Sequence, residues 1–373
     1  MRVAGLFSGA GGIELGFSRA GFKTVLLSEI EPSVRMLLRH GFPDVELAGD
    51  IREIDALPEV DVVVAGFPCQ DISRAGRKAG IDGERSGLVH EVFRLAEDGD
   101  VPRLVLENVT GILTSGSGYA MEVVLSEIER MGYAWAYRTV DMRAFGLPQR
   151  RRRVFFYVSK VDDPRDVLLA NDHVFDEVPL EVSRPIGFYW TEGRESASIV
   201  AGAIPTIKAG STIGFNSAPA LLMPGGMLGM PDIRDMERLQ GFEEGWTEPV
   251  VSVERRGRQR AVGNAVPPPA AEWVARSILG HGSYDGTADA LMRKGSVWPK
   301  AAWNLGEGRY VSKVGAFPEL RDLPCISDFL KYPLHPLSER AASGFARRAR
   351  AGCARFPEGF LDAVEAHARK MAA

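Results

Sequence analysis

The chain has 373 residues, of which 45% are hydrophobic and 25% are charged, and its formal net charge is −4. This composition is ordinary for a globular protein and excludes a disordered chain, a collagen and a coiled-coil rod. No apolar run approaches the roughly 20 residues of a membrane span, and Glu14 interrupts the N-terminal apolar pattern, so we predict neither a membrane protein nor a secretory signal. Three scattered cysteines predict neither a disulfide framework nor a zinc cluster. Together these features predict a cytoplasmic protein.

The basic residues are unevenly distributed along the chain. Residues 281–373 hold 14 Lys and Arg against 10 Asp and Glu, whereas residues 1–280 hold 31 against 39. Arginine supplies 36 of the 45 basic residues, and its planar guanidinium suits phosphates and base edges. A G+C-rich genome would also raise the arginine content, so the bias leaves two explanations open.

Residues 1–158 alternate short apolar strands with helical patterns. We predict strands at 2–7, 24–27, 60–65 and 103–106, a β-rich run at 153–158, and helices at 13–17, 34–39 and 121–130. This alternation predicts an α/β fold with a doubly wound, mostly parallel, Rossmann-like sheet. Because ligands bind at the carboxyl ends of the strands in such sheets, we expect the polar segments after these strands to meet in one cleft.

The rest of the chain divides into three predicted regions. Residues 159–233 hold ten acids against five bases, with several glycines and prolines, which predicts a small loop-rich module. Residues 234–280 return to the ordered core, with helices predicted at 232–239 and 267–279. Residues 281–373 are predicted to form a basic, mostly helical extension, with helical spacing at 337–351 and 360–370.

A glycine-rich segment, Phe7-Ser8-Gly9-Ala10-Gly11-Gly12, joins the first strand to the first helix. Glycine lets a backbone approach a ligand closely, and a helix N-terminus favours an anionic group. The spacing matches neither the dinucleotide fingerprint nor the P-loop, so the segment alone fits a tight turn equally well. Glu29 ends the next strand, where an acid commonly holds ribose hydroxyls. Asp50 follows a further short segment and is expected to face the same pocket.

Cys69 follows the third apolar strand and Pro68. A lone cysteine is most often a small buried apolar residue, but the strand end places this thiol at the edge of the sheet where ligands bind. The polar, glycine-containing segment 71–87 suits a loop that closes over a substrate. Cys325 and Cys353 lack such a context, and we interpret them as structural.

Two further segments bear chemistry. Glu107, in Glu107-Asn108-Val109, ends an apolar strand, where a carboxyl with a raised pKa can be a general acid, although a solvated acid is the commoner role. Gln149-Arg150-Arg151-Arg152-Arg153 leads into a strand. Because alternate residues of a strand face the same way, we expect Gln149, Arg151 and Arg153 to share the face toward the cleft.

These four segments, in this order and at these spacings, resemble the conserved blocks of the cytosine-C5 DNA methyltransferases. Two later segments extend the resemblance, which covers residues 1–158 and 203–280: Arg234-Asp235-Met236-Glu237-Arg238-Leu239-Gln240-Gly241-Phe242 is similar to the ninth block of that family, and Gly263-Asn264-Ala265-Val266-Pro267-Pro268 is similar to the tenth. Each segment alone is weak evidence, whereas six in register are specific.

The resemblance implies S-adenosylmethionine as cofactor, double-stranded DNA as partner, no metal, and action as a monomer on DNA. It implies a DNA (cytosine-5-)-methyltransferase, either the modification enzyme of a restriction system or a solitary or phage-borne enzyme. The implied cofactor contacts are Phe7, Ser8, Gly9, Gly11, Gly12, Glu29, Ile30, Asp50, Ile51, Pro68, Leu88, Asn264 and Ala265, and the implied DNA contacts are Gln70, Ser73, Arg74 and Gln149.

The resemblance also assigns catalytic roles to Cys69, Glu107, Arg151 and Arg153. Cytosine C5 is a poor nucleophile, so the Cys69 thiolate would add to C6 and feed electrons into the ring. Glu107 would donate a proton at N3, and the two arginines would brace the base carbonyl and Glu107. Because C5 is inaccessible in a stacked duplex, the base would be flipped out.

The chain departs from the family pattern in two places. The interval in which the family carries its base-reading module is short and acidic here, at residues 159–233, and a basic tail follows the tenth block. We hypothesise that Arg340, Arg347, Arg348 and Arg350 of this tail contact DNA phosphates. A helical cap on the catalytic domain is the alternative.

Three other activities fit the same sequence. One branch of the family acts on tRNA with similar segments, and assays on duplex DNA and on tRNA would separate the two substrates. A DNA-binding protein without catalysis would not need Cys69, Glu107 and Arg153 together. Transfer of a group larger than methyl would leave no mark in these residues.

Overall fold

The computed structural model describes residues 1–68, 87–210, 218–254, 257–293 and 295–373. The helices of this part of the chain are α1 Gly12–Arg19, α2 Pro32–Gly41, α3 Gly87–Asp98, α4 Tyr119–Arg130, α5 Pro164–Leu168, α6 Ile233–Leu239, α7 Gly257–Asn264, α8 Pro268–Leu279, α9 Ile326–Phe329, α10 Glu339–Arg350 and α11 Phe360–Ala372. The strands are β1 Arg2–Leu6, β2 Lys23–Ser28, β3 Glu46–Ala48, β4 Val62–Gly66, β5 Arg103–Val109, β6 Ala134–Asp141, β7 Gln149–Arg150, β8 Arg152–Ser159, β9 Ile186–Phe188, β10 Val200–Ala201, β11 Ile204–Pro205, β12 Ala220–Leu222, β13 Leu228–Met230, β14 Ala290–Leu291, β15 Ala301–Asn304, β16 Tyr310–Val311 and β17 His335–Pro336. No helix among the described residues is long and apolar enough to cross a bilayer.

The chain folds into two units that are discontinuous in sequence. The first unit comprises Met1–Ala144, Arg152–Val174 and Ala265–Leu320, and the second comprises Phe145–Arg151, Phe175–Asn264 and Arg321–Ala373. The C-terminal extension predicted at 281–373 is therefore divided, since its first 40 residues belong to one unit and the rest to the other. It also contains four short strands beside its helices.

A ten-stranded sheet runs through the first unit in the order β14-β16-β15-β6-β8-β5-β4-β1-β2-β3. The five strands from β3 to β5 are parallel. The central residues of β1, β4 and β5 are fully buried, as expected for parallel strands covered on both faces, whereas the edge strand β3 is partly exposed. The α/β, doubly wound fold class predicted from the sequence is confirmed.

The strand order places a ligand crevice at one position of this sheet. The chain moves from β1 outward to β2 and β3, and then returns to β4 and β5 on the other side of β1. Such a reversal opens a crevice at the carboxyl ends of the two strands that flank it, which here are β1 and β4. The glycine-rich segment follows β1, and Phe67 and Pro68 follow β4.

Five antiparallel strands complete the other half of the sheet. β8 lies between β5 and β6, and β15 continues the sheet beyond β6. We did not predict β6, whose sequence AWAYRTVD mixes aromatic, charged and apolar residues. It is nevertheless almost wholly buried, because Arg138 pairs with Asp172 and donates to three backbone carbonyls, which satisfies its charge inside the protein.

Helix α1 packs closely against α8 within the first unit. The contact centres on Gly16, where a Cβ atom would lie 2.4 Å from the carbonyl oxygen of Pro268 and 2.6 Å from the amide nitrogen of Glu272. Only glycine permits this approach, which fixes the helix that begins at the glycine-rich segment.

The second unit is built on a five-stranded antiparallel sheet in the order β10-β9-β12-β13-β17. Its edge strand β17 comes from the C-terminal segment. Helices α10 and α11 cover the sheet through Phe188, Phe345 and Phe360, whose ring centroids lie 4.8 to 6.2 Å apart. The C-terminal helices are thus part of the core of this unit, and not an appendage to it.

Candidate active site

The segment after β1 holds a sharply turned backbone. Phe7, Gly9 and Gly11 all have positive φ angles, of 54°, 52° and 75°. Phe7 is not a glycine, so its left-handed conformation is strained, and such strain is typical of functional sites. The amide of Ser8 donates to the carbonyl of Ser28 at 2.9 Å, which fastens the turn to the end of β2.

Glu29 organises this turn from the end of the neighbouring strand. One carboxylate oxygen accepts the amide of Gly9 at 2.9 Å, and the other accepts the amide of Glu31 at 2.8 Å. Burial raises the pKa of Glu29, and these two backbone hydrogen bonds partly offset that rise. The structure therefore brings together Ser8, Gly9 and Glu29 as the sequence predicted, while Ile30 beside them is 63% exposed.

A second acid, Glu14, lies beneath the same turn. Its side chain is buried on the first turn of α1, and its Oε1 occupies the place next to Gly5 where a Cβ would lie only 2.0 Å away. Its Oε2 has no hydrogen-bond partner among the described residues. Burial raises the pKa of Glu14 to about 7, with a further contribution from the nearby charge of Glu29. We assigned Glu14 no role in the site from the sequence, since one acid on a helix gives no signal of burial.

Asp50 and Ile51 lie where β3 ends. The carboxylate of Asp50 caps the short 3-10 helix Ile51–Glu53 and pairs with the guanidinium of Arg52. These hydrogen bonds from Arg52 hold the pKa of Asp50 below its ordinary value. Ile51 is buried, and Ser28 donates to the carbonyl of Gly49 at 2.9 Å, which joins the ends of β2 and β3.

Glu107 and Arg153 form a buried ion pair at the boundary between β5 and β8. Glu107 Oε1 lies 3.0 Å from Arg153 Nε, and their side chains are only 9% and 11% exposed. The antiparallel register pairs Arg153 with Val109, so Arg153 reaches Glu107 diagonally across the two strands. Burial lowers the pKa of Arg153, and the charge of Glu107 opposes that shift.

Asn108 connects the ends of β4 and β5. Its side-chain amide donates to the carbonyl of Phe67 at 2.9 Å, and its side-chain oxygen accepts the amide of Val109 at 2.9 Å. The carboxyl group of Glu107 also lies near this strand end, since a Cβ on Gly66 would be 3.6 Å from Glu107 Oε2. Asn108 therefore fixes the backbone at Phe67, two residues before Cys69. The sequence did not predict this positioning contact, because an asparagine at a strand end does not show which backbone group it will bind.

Four predicted residues fall outside the described ranges. These are Cys69, Gln70, Ser73 and Arg74, together with the predicted loop at 71–86. Pro68, the last described residue before them, is exposed. Leu88, the next predicted cofactor contact, lies in α3 and packs against the apolar core of the first unit.

Gln149, Arg151 and Asn264 belong to the second unit. Gln149 is fully buried, donates to the carbonyl of Leu239 and accepts the amide of Ile207, both at 2.9 Å. Arg151 is 1% exposed and donates to the carbonyls of Ile207 and Gly263 at 2.9 and 3.2 Å.

The run Gln149–Arg153 is not one continuous strand, because β7 ends at Arg150 and β8 begins at Arg152 in a different sheet. The expectation that Gln149, Arg151 and Arg153 share one face toward the cleft stays a prediction. Gln149 and Arg151 are buried, while Arg152, between Arg151 and Arg153, is 43% exposed. Asn264 is the exposed last residue of α7, and Ala265, the first residue of the next segment of the first unit, is buried.

Nothing in the described part of the chain forms a metal centre. No group of three or more His, Cys, Asp or Glu side chains within the described ranges is arranged to hold a metal ion. The charged groups at the crevice are the buried Glu14 and the partly buried Glu29 at the glycine turn, and the carboxylate–guanidinium pair of Glu107 and Arg153 at the neighbouring strand ends.

Comparison with known proteins identifies the relatives of this chain. A family model described as C-5 cytosine-specific DNA methylase matches residues 1–183. The Type II methyltransferase M2.BsuMI of Bacillus subtilis (strain 168) is 42% identical to the chain, over 98% of this chain and 97% of that protein. The Type II methyltransferase M.MspI of Moraxella is 35% identical over 49% of this chain and 42% of that protein.

Solved structures share the fold. The crystal structure of the Dnmt2 methyltransferase of S. pombe superposes with a TM-score of 0.57 and 19% identity, covering 75% of this chain and 98% of that one. The DNMT2 of Spodoptera frugiperda gives a TM-score of 0.54 and 13% identity, over 74% of this chain and 99% of that one.

Proposed function

The chain belongs to the C-5 cytosine-specific DNA methylase family, and we propose that it methylates cytosine in duplex DNA through a covalent bond between Cys69 and C6 of a flipped base. The Glu107–Arg153 pair carries this proposal. It is buried at the ends of β5 and β8, and Asn108 holds the end of β4 from which the chain continues to Cys69. We further propose that the enzyme is the modification partner in a Type II restriction system and acts as a monomer.

The residues after β1, β2 and β3 fit the cofactor of the family, S-adenosylmethionine. Its sulfonium supplies an electrophilic methyl group, and its adenosine presents ribose hydroxyls. Gly9 is open on its side-chain face, where a Cβ would meet nothing closer than 3.9 Å. Glu29 is held by Gly9 and keeps further lone pairs for hydroxyl groups. Phe7, Ser8, Gly11, Gly12, Ile30, Asp50, Ile51, Pro68, Leu88, Asn264 and Ala265 complete the proposed contacts.

Cys69 and Glu107 divide the activation of the pyrimidine between them. The Cys69 thiolate forms a bond to C6 while the Glu107 carboxyl gives its proton to N3, so that the ring gains no net negative charge. C5 thereby becomes nucleophilic and accepts the methyl group. A base then removes the C5 proton, and the electrons of that C–H bond restore the C5=C6 double bond. The bond between C6 and sulfur breaks, its electron pair returns to the Cys69 sulfur, and N3 returns its proton to Glu107.

Arg153 positions Glu107 for this proton transfer. Its guanidinium is buried against the carboxylate, so the two groups keep one geometry without rearrangement by solvent. We propose that Arg151 braces the base carbonyl from the next inward position of the run. Because C5 lies within the stack, the base must leave the helix, and we propose that Gln70, Ser73, Arg74 and Gln149 contact the DNA around it.

The covalent step is tested with a duplex that carries 5-fluorocytosine at the methylation site. Fluorine at C5 cannot leave as a proton does, so we expect the enzyme and the DNA to remain joined in a band that resists denaturing electrophoresis. Cys69→Ser should form no such band and should lose methyl transfer, and tRNA should replace DNA poorly as substrate. A stable adduct with the serine variant, or none with the wild type that methylates the normal site, would contradict the proposed nucleophile.

The role of Arg153 is tested in the same assay with Arg153→Gln. Loss of one preorganised donor at a buried charge commonly reduces kcat by roughly a hundredfold or more. Arg152→Gln is the matched control, because it removes the same charge from the adjacent position, where the side chain is 43% exposed and pairs with Asp141 instead of Glu107. Asp141 keeps its second partner, Arg143, in this variant. Equal rates for the two variants in single-turnover methylation would refute the positioning role.

A further inference from the structure

The four arginines of the C-terminal segment that we expected to contact DNA differ in their contacts within the protein. Two of them bind other groups of the second unit. Arg348 donates to the carbonyls of Trp190 and Glu192, and it is partly buried against that loop. Arg350 pairs with Asp362 and Glu365 and so joins α10 to α11. These two side chains therefore stabilise the second unit, and the sequence-based hypothesis that they contact DNA is not supported by their present contacts.

Arg340 and Arg347 are the other two of these arginines. Both side chains are exposed, and neither forms an ion pair or hydrogen bond with another described residue. They are seven residues apart on α10, which places them on the same side of the helix, about 10 Å apart along its axis. The buried side chains of α10 lie on the opposite side, at Ala342, Phe345, Ala346 and Ala349.

The surface between the two arginines is formed by small residues, and a Cβ on Gly344 would lie 3.4 Å from Nη1 of Arg348. Ser343 and Gly344 lie between them on the exposed side of the helix, and we call Arg340, Ser343, Gly344 and Arg347 the α10 ridge. Glu339, the nearest acid in the helix, accepts a hydrogen bond from Ser343 at the border of the ridge. Small residues let a partner approach the helix closely, where both guanidiniums can reach it.

Helix stability does not account for both arginines. Arg347 lies in the last turn, where a positive charge interacts favourably with the helix dipole. Arg340 is the second residue after the N-cap Ser338, where the same dipole disfavours a positive charge. A cation kept exposed and unpaired at an unfavourable position points to a partner outside the chain.

We propose that the α10 ridge binds the phosphate backbone of the DNA substrate through Arg340 and Arg347. Guanidiniums bind phosphate oxygens in a bidentate geometry. One strand of a duplex presents a phosphate about every 3.4 Å along the duplex axis, so two guanidiniums about 10 Å apart can reach phosphates of the same strand. The contact is independent of base sequence, and it belongs to a unit whose core the C-terminal helices help to build. The inference rests on the proposed function only in taking duplex DNA as the substrate.

The test is the salt dependence of duplex binding by the full-length Arg340→Gln/Arg347→Gln variant. Each phosphate contact adds about 0.9 to the slope of log affinity against log salt concentration. We therefore expect the slope to fall by one to two and the affinity at 0.1 M salt to fall on the order of tenfold, equally for specific and non-specific duplexes. The rate of methylation at saturating DNA should be unchanged.

A second double variant controls for net charge. Arg369→Gln/Lys370→Gln removes the same charge from exposed positions on α11 of the same unit, and its slope should stay close to that of the wild type. An unchanged slope in the ridge variant, or an equal fall in both variants, would overturn the proposal. Because wild-type methylation is measured alongside, failure of the ridge contact remains distinct from failure of the proposed enzymatic activity.

Discussion

Buried charges at the residue scale are what distinguish this site from an ordinary sheet edge. The guanidinium of Arg153 balances the negative charge of Glu107, and two backbone amides donate hydrogen bonds to the carboxylate of Glu29. Glu14 has less compensation than either, with one carboxylate oxygen unpartnered within the described ranges. A buried acid without full compensation favours its protonated form, so burial raises the pKa of Glu14 more than hydrogen bonds lower it.

The protonation of Glu14 predicts how stability depends on pH. Its pKa is about 7 in the folded protein against 4.5 for the ordinary carboxyl. Between these values the native state keeps a proton that the unfolded chain has released, so the wild type loses stability as the pH rises from about 4.5 to 7. Glu14→Gln has no proton to release, and its stability relative to the wild type should improve by about 2 to 3 kcal/mol between pH 5 and pH 8.

Urea unfolding at the two pH values measures this difference. Glu46→Gln, an exposed substitution on β3, is the control and should follow the wild type at both values. A stability difference between Glu14→Gln and the wild type that does not change with pH would show that the carboxyl titrates normally.

At the scale of elements, close helix packing sets the position of the glycine-rich turn. Helix α1 begins immediately after the turn, and Gly16 fixes its distance from α8. The strands on either side of the crevice were predictable because each is a continuous apolar run that ends in polar residues. β6 and β15 were not, because they pair with each other although more than 160 residues separate them in the chain. β14 and β16, which continue the sheet beyond β15, are only two residues long and give too short a pattern to predict.

Gly16→Ala tests the contact between α1 and α8. The added methyl group would overlap the backbone of α8, so we expect a loss of about 1 to 3 kcal/mol in unfolding free energy, with weaker cofactor binding as the turn shifts. Gly280→Ala is the control, since a Cβ there meets nothing within 4 Å and its φ of −166° suits any residue. Equal stability of the two variants by thermal unfolding would contradict the tight contact.

At the scale of the whole molecule, the C-terminal 53 residues, 321–373, complete the second unit. Phe345, Phe360 and Val364 enter the same apolar core as Ile186 and Phe188 of β9. The first unit draws all ten strands of its sheet from residues before 321. The two units therefore depend differently on the C-terminal segment.

Truncation after Leu320 should unfold the second unit and spare the sheet of the first. Hydrogen exchange should lose its protection at Ile186–Phe188 and Ala220–Leu222, by several orders of magnitude in rate, and retain it in β4 and β5. Removal of Met371–Ala373 alone, which are exposed, is the control. Retained protection in β9 after the long truncation would show that the helices are dispensable for this core.

The sequence by itself determined the fold class, the strand ends that carry Glu29 and Glu107, and the membership of the family, because apolar periodicity and short polar segments at strand ends are local properties of the chain. The approximate bounds of α10 and α11 were also predictable from the sequence, because the amphipathic spacing of their residues is a local property. Tertiary structure decided which charged side chains have partners. It brings Arg153 to Glu107 across two strands and buries Glu14 beside Gly5. It also lets Arg348 donate to backbone carbonyls of its own unit, while Arg347 is exposed. These outcomes depend on strand register and on backbone groups distant in sequence, and no spacing along the chain encodes either.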